Sequence, residues 1–179
     1  MAYQWILYTW VNTSLYFFVD DDFLNANLIH QYLKEQSSHG KPYLYTGRLL
    51  TYNTPVRERK SKWIISVEDY RYEYYPPYLA GSYVIMFANV TKLLRETFPY
   101  VRYIFIDDRF VCIVAYDCRL VPSNDDRIFI DYVAVEPERL KFMFSPHGYG
   151  NHKPLRRVWH TWFTANYHRL NLIFMLLFL

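Results

Sequence analysis

The 179-residue chain reads as an α/β protein. Three observations predict that class. Short apolar runs of strand length alternate with amphipathic stretches of helix length, as layered α/β folds require. The chain carries 19 Tyr, 13 Phe and 5 Trp, rings that suit sheets. And the aromatic run Phe17-Phe18-Val19 ends in Asp20-Asp21-Asp22, a buried strand that opens onto carboxylates.

The elements follow in order. A helix end covers 4–11, with Trp5, Tyr8 and Trp10 among its rings. A strand covers 15–19. Asn25 or Asn27 caps a helix to about residue 35, with Leu28, Ile29, Tyr32 and Leu33 at helical spacing. Ser37-Ser38-His39-Gly40 ends it. Residues 43–47 read as a strand that 49–52 extend, and Thr54-Pro55 opens a polar loop through Lys62. A short strand over 63–67 leads to an irregular, ring-rich stretch that ends in Tyr74-Tyr75-Pro76-Pro77-Tyr78. Ala80-Gly81 precedes a strand over 83–87, and Asn89 caps a helix over 90–97. The apolar Ile104-Phe105-Ile106 leads into Asp107-Asp108 and a buried helix over 110–116. A strand over 128–135 and an amphipathic helix over 156–163 complete the order. No repeat, low-complexity tract or linker interrupts it. Residues 1–165 are expected to form one domain, followed by an apolar tail over 166–179. The last ten residues fall short of the roughly 20 that a membrane-spanning helix needs, and read as a buried terminal element in preference to an interfacial segment or the start of something truncated.

A net charge of +3 with scattered basic residues argues against nucleic acid. The one basic cluster, Arg57-Glu58-Arg59-Lys60-Ser61-Lys62, reads as a solvated loop able to attract an anionic substrate. Cys112 and Cys118 lie too far apart on a continuous helix or strand for a disulfide. Two N-x-Ser/Thr sequons, at Asn12 and Asn89, suit a secretory-pathway protein. Residues 1–10 do not read as a signal peptide, because Gln4 and the rings interrupt the apolar run.

Side chains at i and i+2 of a strand share a face, so Asp20 and Asp22 can point together while Asp21 points away. Two hard oxygen donors there suit Mg²⁺ or Mn²⁺, ions that also hold phosphate oxygens. A strand-to-helix turn capped by Asp would use the same residue types.

Four blocks in order bring a family into view. They are Phe18-Val19-Asp20-Asp21-Asp22-Phe23-Leu24-Asn25; Tyr45-Thr46-Gly47 with Pro55-Val56-Arg57 and Ser61-Lys62-Trp63; Tyr75-Pro76-Pro77-Tyr78 with Gly81, Tyr83 and Val84; and Ile106-Asp107-Asp108-Arg109-Phe110-Val111. The chain resembles the beta-1,3-galactosyltransferase and beta-1,3-N-acetylglucosaminyltransferase family, glycosyltransferase family 31, over roughly 5–116. The resemblance implies a partial GT-A-like fold, a mixed, mostly parallel sheet flanked by helices. It implies transfer of galactose or N-acetylhexosamine from a UDP-sugar to a glycan acceptor hydroxyl, with inversion and a beta-1,3 linkage. It also implies Mn²⁺ dependence and the lumenal side of the Golgi membrane.

By the same resemblance, Asp22 is the direct metal ligand. Asp20 and Asp21 hold the metal shell, the ribose or the sugar, and Asp107 or Asp108 is the base. Asp108 serves equally as a helix N-cap. Gly81 lets the backbone approach the donor. Tyr75-Pro76-Pro77-Tyr78 is either a wall of the sugar site or a packing corner, and Trp63 either a sugar platform or core. His147 reads as a loop residue more than a metal ligand.

The chain departs from the family pattern in several places. One residue is missing between Asp22 and Asn25, Leu79-Ala80-Gly81-Ser82 carries a single glycine, and Arg109, Phe110 and Cys112 replace an aliphatic residue, Tyr and Gly. Arg109 is placed to lower the pKa of the proposed base through an ion pair. The family's membrane anchor, stem and first strands have no counterpart, so the chain is expected to be an N-terminally truncated relative. That leaves an alternative: a non-catalytic remnant that binds a glycan or a partner.

Overall fold

The computed structural model describes residues 2–10, 12–19, 24–38, 42–129, 141–144 and 152–166. Their elements are α1 (Ala2–Thr9), β1 (Leu15–Val19), α2 (Ala26–Ser38), β2 (Tyr45–Leu50), β3 (Tyr78–Phe87), α3 (Ala88–Thr97), a 3₁₀ turn (Phe98–Tyr100), α4 (Asp107–Asp117), β4 (Ser123–Asn124) and α5 (His152–Asn166). The chain divides into two compact units, Met1–Asp20 with Glu35–Asp126, and Asp21–Lys34 with Arg127–Leu179.

The first unit is built on a four-stranded sheet in the order β1-β3-β2-β4. β3 is antiparallel to both β1 and β2, while β2 and β4 are parallel. The α/β class and the mixed sheet match the expectation, and three of the four strands run one way. The balance of pairings does not match. The longest strand runs against the others and inserts between β1 and β2, so two of the three pairings are antiparallel. The physical cause is burial. Tyr83, Ile85 and Met86 are fully buried, so β3 takes a central place where both faces and both edges are covered.

α3 lays Val90, Thr91 and Leu94 on the core, with Lys92 and Glu96 on its outer side. Phe87, not Asn89, is its N-cap. The Asn89 amide is engaged elsewhere, accepting from the Val90 N–H and donating to the Pro42 carbonyl. α4 ends in a Schellman turn: Leu120 N–H bonds the Ala115 carbonyl and Arg119 N–H that of Tyr116, with Arg119 at φ 57° where glycine is usual. The core joins Tyr45, Ile65, Tyr70, Tyr75, Tyr78, Val84, Met86, Leu94, Phe110 and Val114.

The strand expected over 63–67 does not form. A single bridge links Ile64 to Val56, and of the segment only Ile65 is buried, while Trp63 and Val67 are exposed, so no strand face packs on the core. Arg57 ties this loop down by donating to the carbonyls of Ile65 and Tyr70. It is a structural brace within the segment read as a solvated basic loop.

In the second unit, Asn25 caps α2 as expected: its Oδ1 accepts from Leu28 N–H at 3.2 Å, and its own N–H bonds the Phe144 carbonyl. Arg127 lies over the rings of Tyr32 and Phe144. α5 begins before and ends beyond the helix expected over 156–163. The strand expected over 128–135 falls almost wholly outside the described residues, as does the tail from 167 onward. Among the described residues, no helix is long and apolar enough to cross a membrane.

Candidate active site

Three segments of the first unit converge: the corner Tyr75-Pro76-Pro77-Tyr78, the start of β3 at Gly81, and the first turn of α4. Rings press the corner into the core. Tyr75 stacks on Tyr70 with centroids 4.6 Å apart, and Tyr70 donates its hydroxyl to the Tyr74 carbonyl at 2.8 Å. The two prolines hold the backbone stiff between the rings. The corner is therefore a packing element, and it has a second task at the site.

Asp107 and Asp108 open α4, where carboxylates complement the helix dipole. Their environments differ. Asp107 is exposed, and its Oδ1 accepts from the Asp108 N–H at 2.9 Å; the N-cap is Ile106, so Asp108 is not the cap. Asp108 turns inward, with its side chain 18 % exposed. It lies against Gly81. A Cβ added at Gly81 would stand 3.3 Å from Asp108 Cβ and 3.8 Å from its Oδ2. Gly81 is exposed while its flanking residues in β3 are buried, and its missing side chain lets Asp108 pack against the strand.

Burial is the main cause that raises the Asp108 pKa above the usual carboxylate value. Arg109 opposes it, Asp107 adds to it, and backbone hydrogen bonds from Arg109 and Gly81 oppose it. Arg109 Nη1 bonds Asp108 Oδ2 at 2.5 Å, the ion pair that the sequence suggested. The guanidinium also lies 3.7 Å from the Tyr78 ring centroid and 5.5 Å from that of Tyr75. Cys112, one turn on, has its Sγ 3.0 Å from the Arg109 carbonyl, and burial pushes its thiol up to about 12. The Tyr45 hydroxyl is held neutral by burial, and its pKa also responds to the Asp108 charge. Cys112 and Cys118 are free thiols.

The structure thus brings together Gly81, Asp107 and Asp108 of the residues expected at the site. Asp20, Asp21, Asp22 and His147 lie outside the described residues. Trp63 is not core: it is half-exposed, with Lys62 4.5 Å above its ring. The ring faces that hold Arg109 were missed in the sequence. The available signal was the coincidence of two motifs, a doubled Tyr around Pro-Pro and an Arg next to Asp. Among the described residues, no three His, Cys, Asp or Glu side chains cluster as a metal group.

An inward carboxylate packed against a glycine of β3 is a group of the kind that general-base chemistry uses. A galactosyltransferase family model matches residues 1–126, and the chain belongs to that family. It is 25 % identical over 170 residues to Beta-1,3-galactosyltransferase brn of Drosophila melanogaster, covering 93 % of this chain and 52 % of the relative. It is 29 % identical over 125 residues to human Beta-1,3-galactosyltransferase 9, covering 69 % of this chain and 34 % of that protein. Human Lactosylceramide 1,3-N-acetyl-beta-D-glucosaminyltransferase is 28 % identical over 124 residues, at 65 % and 33 % coverage. The chain spans about half the length of the first relative and about a third of the other two.

Proposed function

We propose that this chain carries an inverting hexosyltransferase site. It moves galactose or N-acetylhexosamine from a UDP-sugar to a glycan hydroxyl in beta-1,3 linkage, on the lumenal side of the Golgi membrane. The observation that carries the reading is Asp108, an inward carboxylate packed against Gly81 and paired with Arg109. Single-displacement inversion needs one base on the acceptor side. Asp108 is the better of the acidic pair, because Asp107 is exposed and spends an oxygen on the helix backbone.

The run Asp20-Asp21-Asp22 offers a hard, all-carboxylate donor set that fits Mn²⁺ or Mg²⁺. Asp22 would be the direct ligand, with Asp20 and Asp21 toward the metal shell, ribose or sugar. When bound, the ion supplies Lewis-acid stabilisation of the charge that grows on the diphosphate leaving group. The run starts one residue after Val19, which pairs with Tyr83 of β3. Asp108 takes the acceptor proton as the hydroxyl oxygen bonds the anomeric carbon and the sugar–phosphate bond breaks. Gly81, with no side chain, lets Asp108 lie against β3.

The test is UDP-sugar transfer with Mn²⁺ by the purified chain. Asp108→Asn is expected to lower the rate about 10²–10⁴-fold, the usual contribution of a general base. Asp22→Ala is expected to abolish Mn²⁺ binding and, with it, donor binding and transfer. Transfer that survives Asp108→Asn sinks the base assignment. A chain that binds no UDP by calorimetry is instead the non-catalytic relative.

A further inference from the structure

Arg109 is held from two sides. Its guanidinium lies on the faces of Tyr78 and Tyr75, and its Nη1 bonds Asp108 Oδ2. The rings are themselves fixed. Tyr78 is 1 % exposed and Tyr75 5 %, and Tyr75 stacks on Tyr70. A planar guanidinium pressed on immobile rings loses few further degrees of freedom when it pairs with a carboxylate. Both partners are largely shielded, at 22 % and 18 % side-chain exposure, so salt screens this pair less than an exposed one.

We propose that Arg109 is a positioning residue: clamped by the corner rings, it holds the Asp108 carboxylate against Gly81 in its charged form. The proposal rests on the reading of Asp108 as the base. The groups that face Asp108 are Asp107, Arg109 and Cys112 of α4, Tyr45 of β2, Tyr78 and the Gly81 N–H of β3, and Tyr75 of the corner. Burial is the main cause raising Tyr45, Tyr75, Tyr78 and Cys112, which keeps all four neutral at physiological pH. Among the described residues that act on Asp108, Arg109 is the one cation. Without it, burial and Asp107 are opposed only by backbone hydrogen bonds. The carboxyl then binds its proton more tightly, and the base works only at higher pH.

The measurement is the titration of the Asp108 carboxyl by NMR on the full chain with ¹³C-labelled aspartate, assigned through Asp108→Asn. Arg109→Met keeps an apolar stem on Tyr78 and removes the charge. It is expected to raise the Asp108 pKa by about one unit or more. Arg109→Lys, with charge but no planar fork, should restore part of the shift. The acid limb of the transfer–pH profile should move up in step. An Asp108 titration unchanged by Arg109→Met overturns the proposal. If that variant does not fold, Arg109→Gln is read in its place by the same criterion. A titration that moves while Asp108→Asn still transfers sugar overturns the base assignment and leaves the ion pair standing, so the two failures are distinct.

Discussion

Gly47 of β2 and Gly81 of β3 each give up a side chain for a close approach, and what they approach differs. A Cβ on Gly47 would stand 2.7 Å from the Tyr83 carbonyl oxygen and 3.3 Å from Leu79 Cβ. Its neighbour is the backbone of a central strand, where Tyr83 is fully buried. A Cβ on Gly81 would first meet Asp108, a side chain on the first turn of a helix, at 3.3 Å. The first glycine lets the sheet close, and the second lets a carboxylate-bearing helix turn pack on the strand. One strand, β3, thus serves as scaffold over Tyr83–Phe87 and as an edge of the candidate site at Gly81.

Substitution separates the two roles. Gly47→Ala is expected to cost about 1–3 kcal/mol, as overpacking does when the obstacle cannot yield. Thermal melting should fall by several degrees, and an unchanged melting temperature would break the distinction. Gly81→Ala needs only a small shift of Asp108, so its stability should stay within about 0.5 kcal/mol of wild type. Transfer should fall about tenfold, because the displaced group is the proposed base. A Gly81→Ala chain that melts early and transfers normally would reverse the assignment.

Tyrosine hydroxyls at the corner sharpen the comparison further. Tyr70 donates to the Tyr74 carbonyl, so Tyr70→Phe should destabilise by about 1 kcal/mol. The buried hydroxyls of Tyr75 and Tyr78 have no partner among the described residues. Tyr78→Phe should therefore be neutral or stabilising while it keeps the ring under Arg109. Denaturant melts should show lost stability for Tyr70→Phe and none lost for Tyr78→Phe.

The smallest effect is on pH dependence. The Asp108 pKa is raised in the folded state, first by burial, so the native carboxyl binds its proton more tightly than the unfolded one. Its contribution to stability grows as pH falls through the folded pKa, and above that pKa its charge is a cost to the fold. Asp108→Asn should thus raise the melting temperature slightly at neutral pH. The gain should vanish near pH 3, where aspartates are protonated in both states. Calorimetry at the two pH values checks the sign.

Much of the fold was legible locally. β1 coincides with the apolar run before Asp20, and Asn25 caps α2 because Asx side chains bond the first free helix N–H groups. Other features carried no local signal. β3 begins at Tyr78 and Leu79, which pair with Leu50 and Leu49, and continues through the weak strand formers Ala80, Gly81 and Ser82 opposite an irregularity in β2. The C-terminal stop of α4 uses Arg119 at φ 57°, not the glycine that marks such a turn.

By itself, the sequence determined the alternation of elements, the acidic runs and the family, since each rests on residue types in chain order. Only the tertiary structure decided which acid of the pair faces the site. Asp107 and Asp108 are chemically identical neighbours that differ only in the helix face they occupy, and that face acquires meaning where β3 passes at Gly81 and the corner rings hold Arg109. Tertiary packing also set the direction of β3. Its apolar run suits either orientation, and the choice falls to the neighbours that bury it.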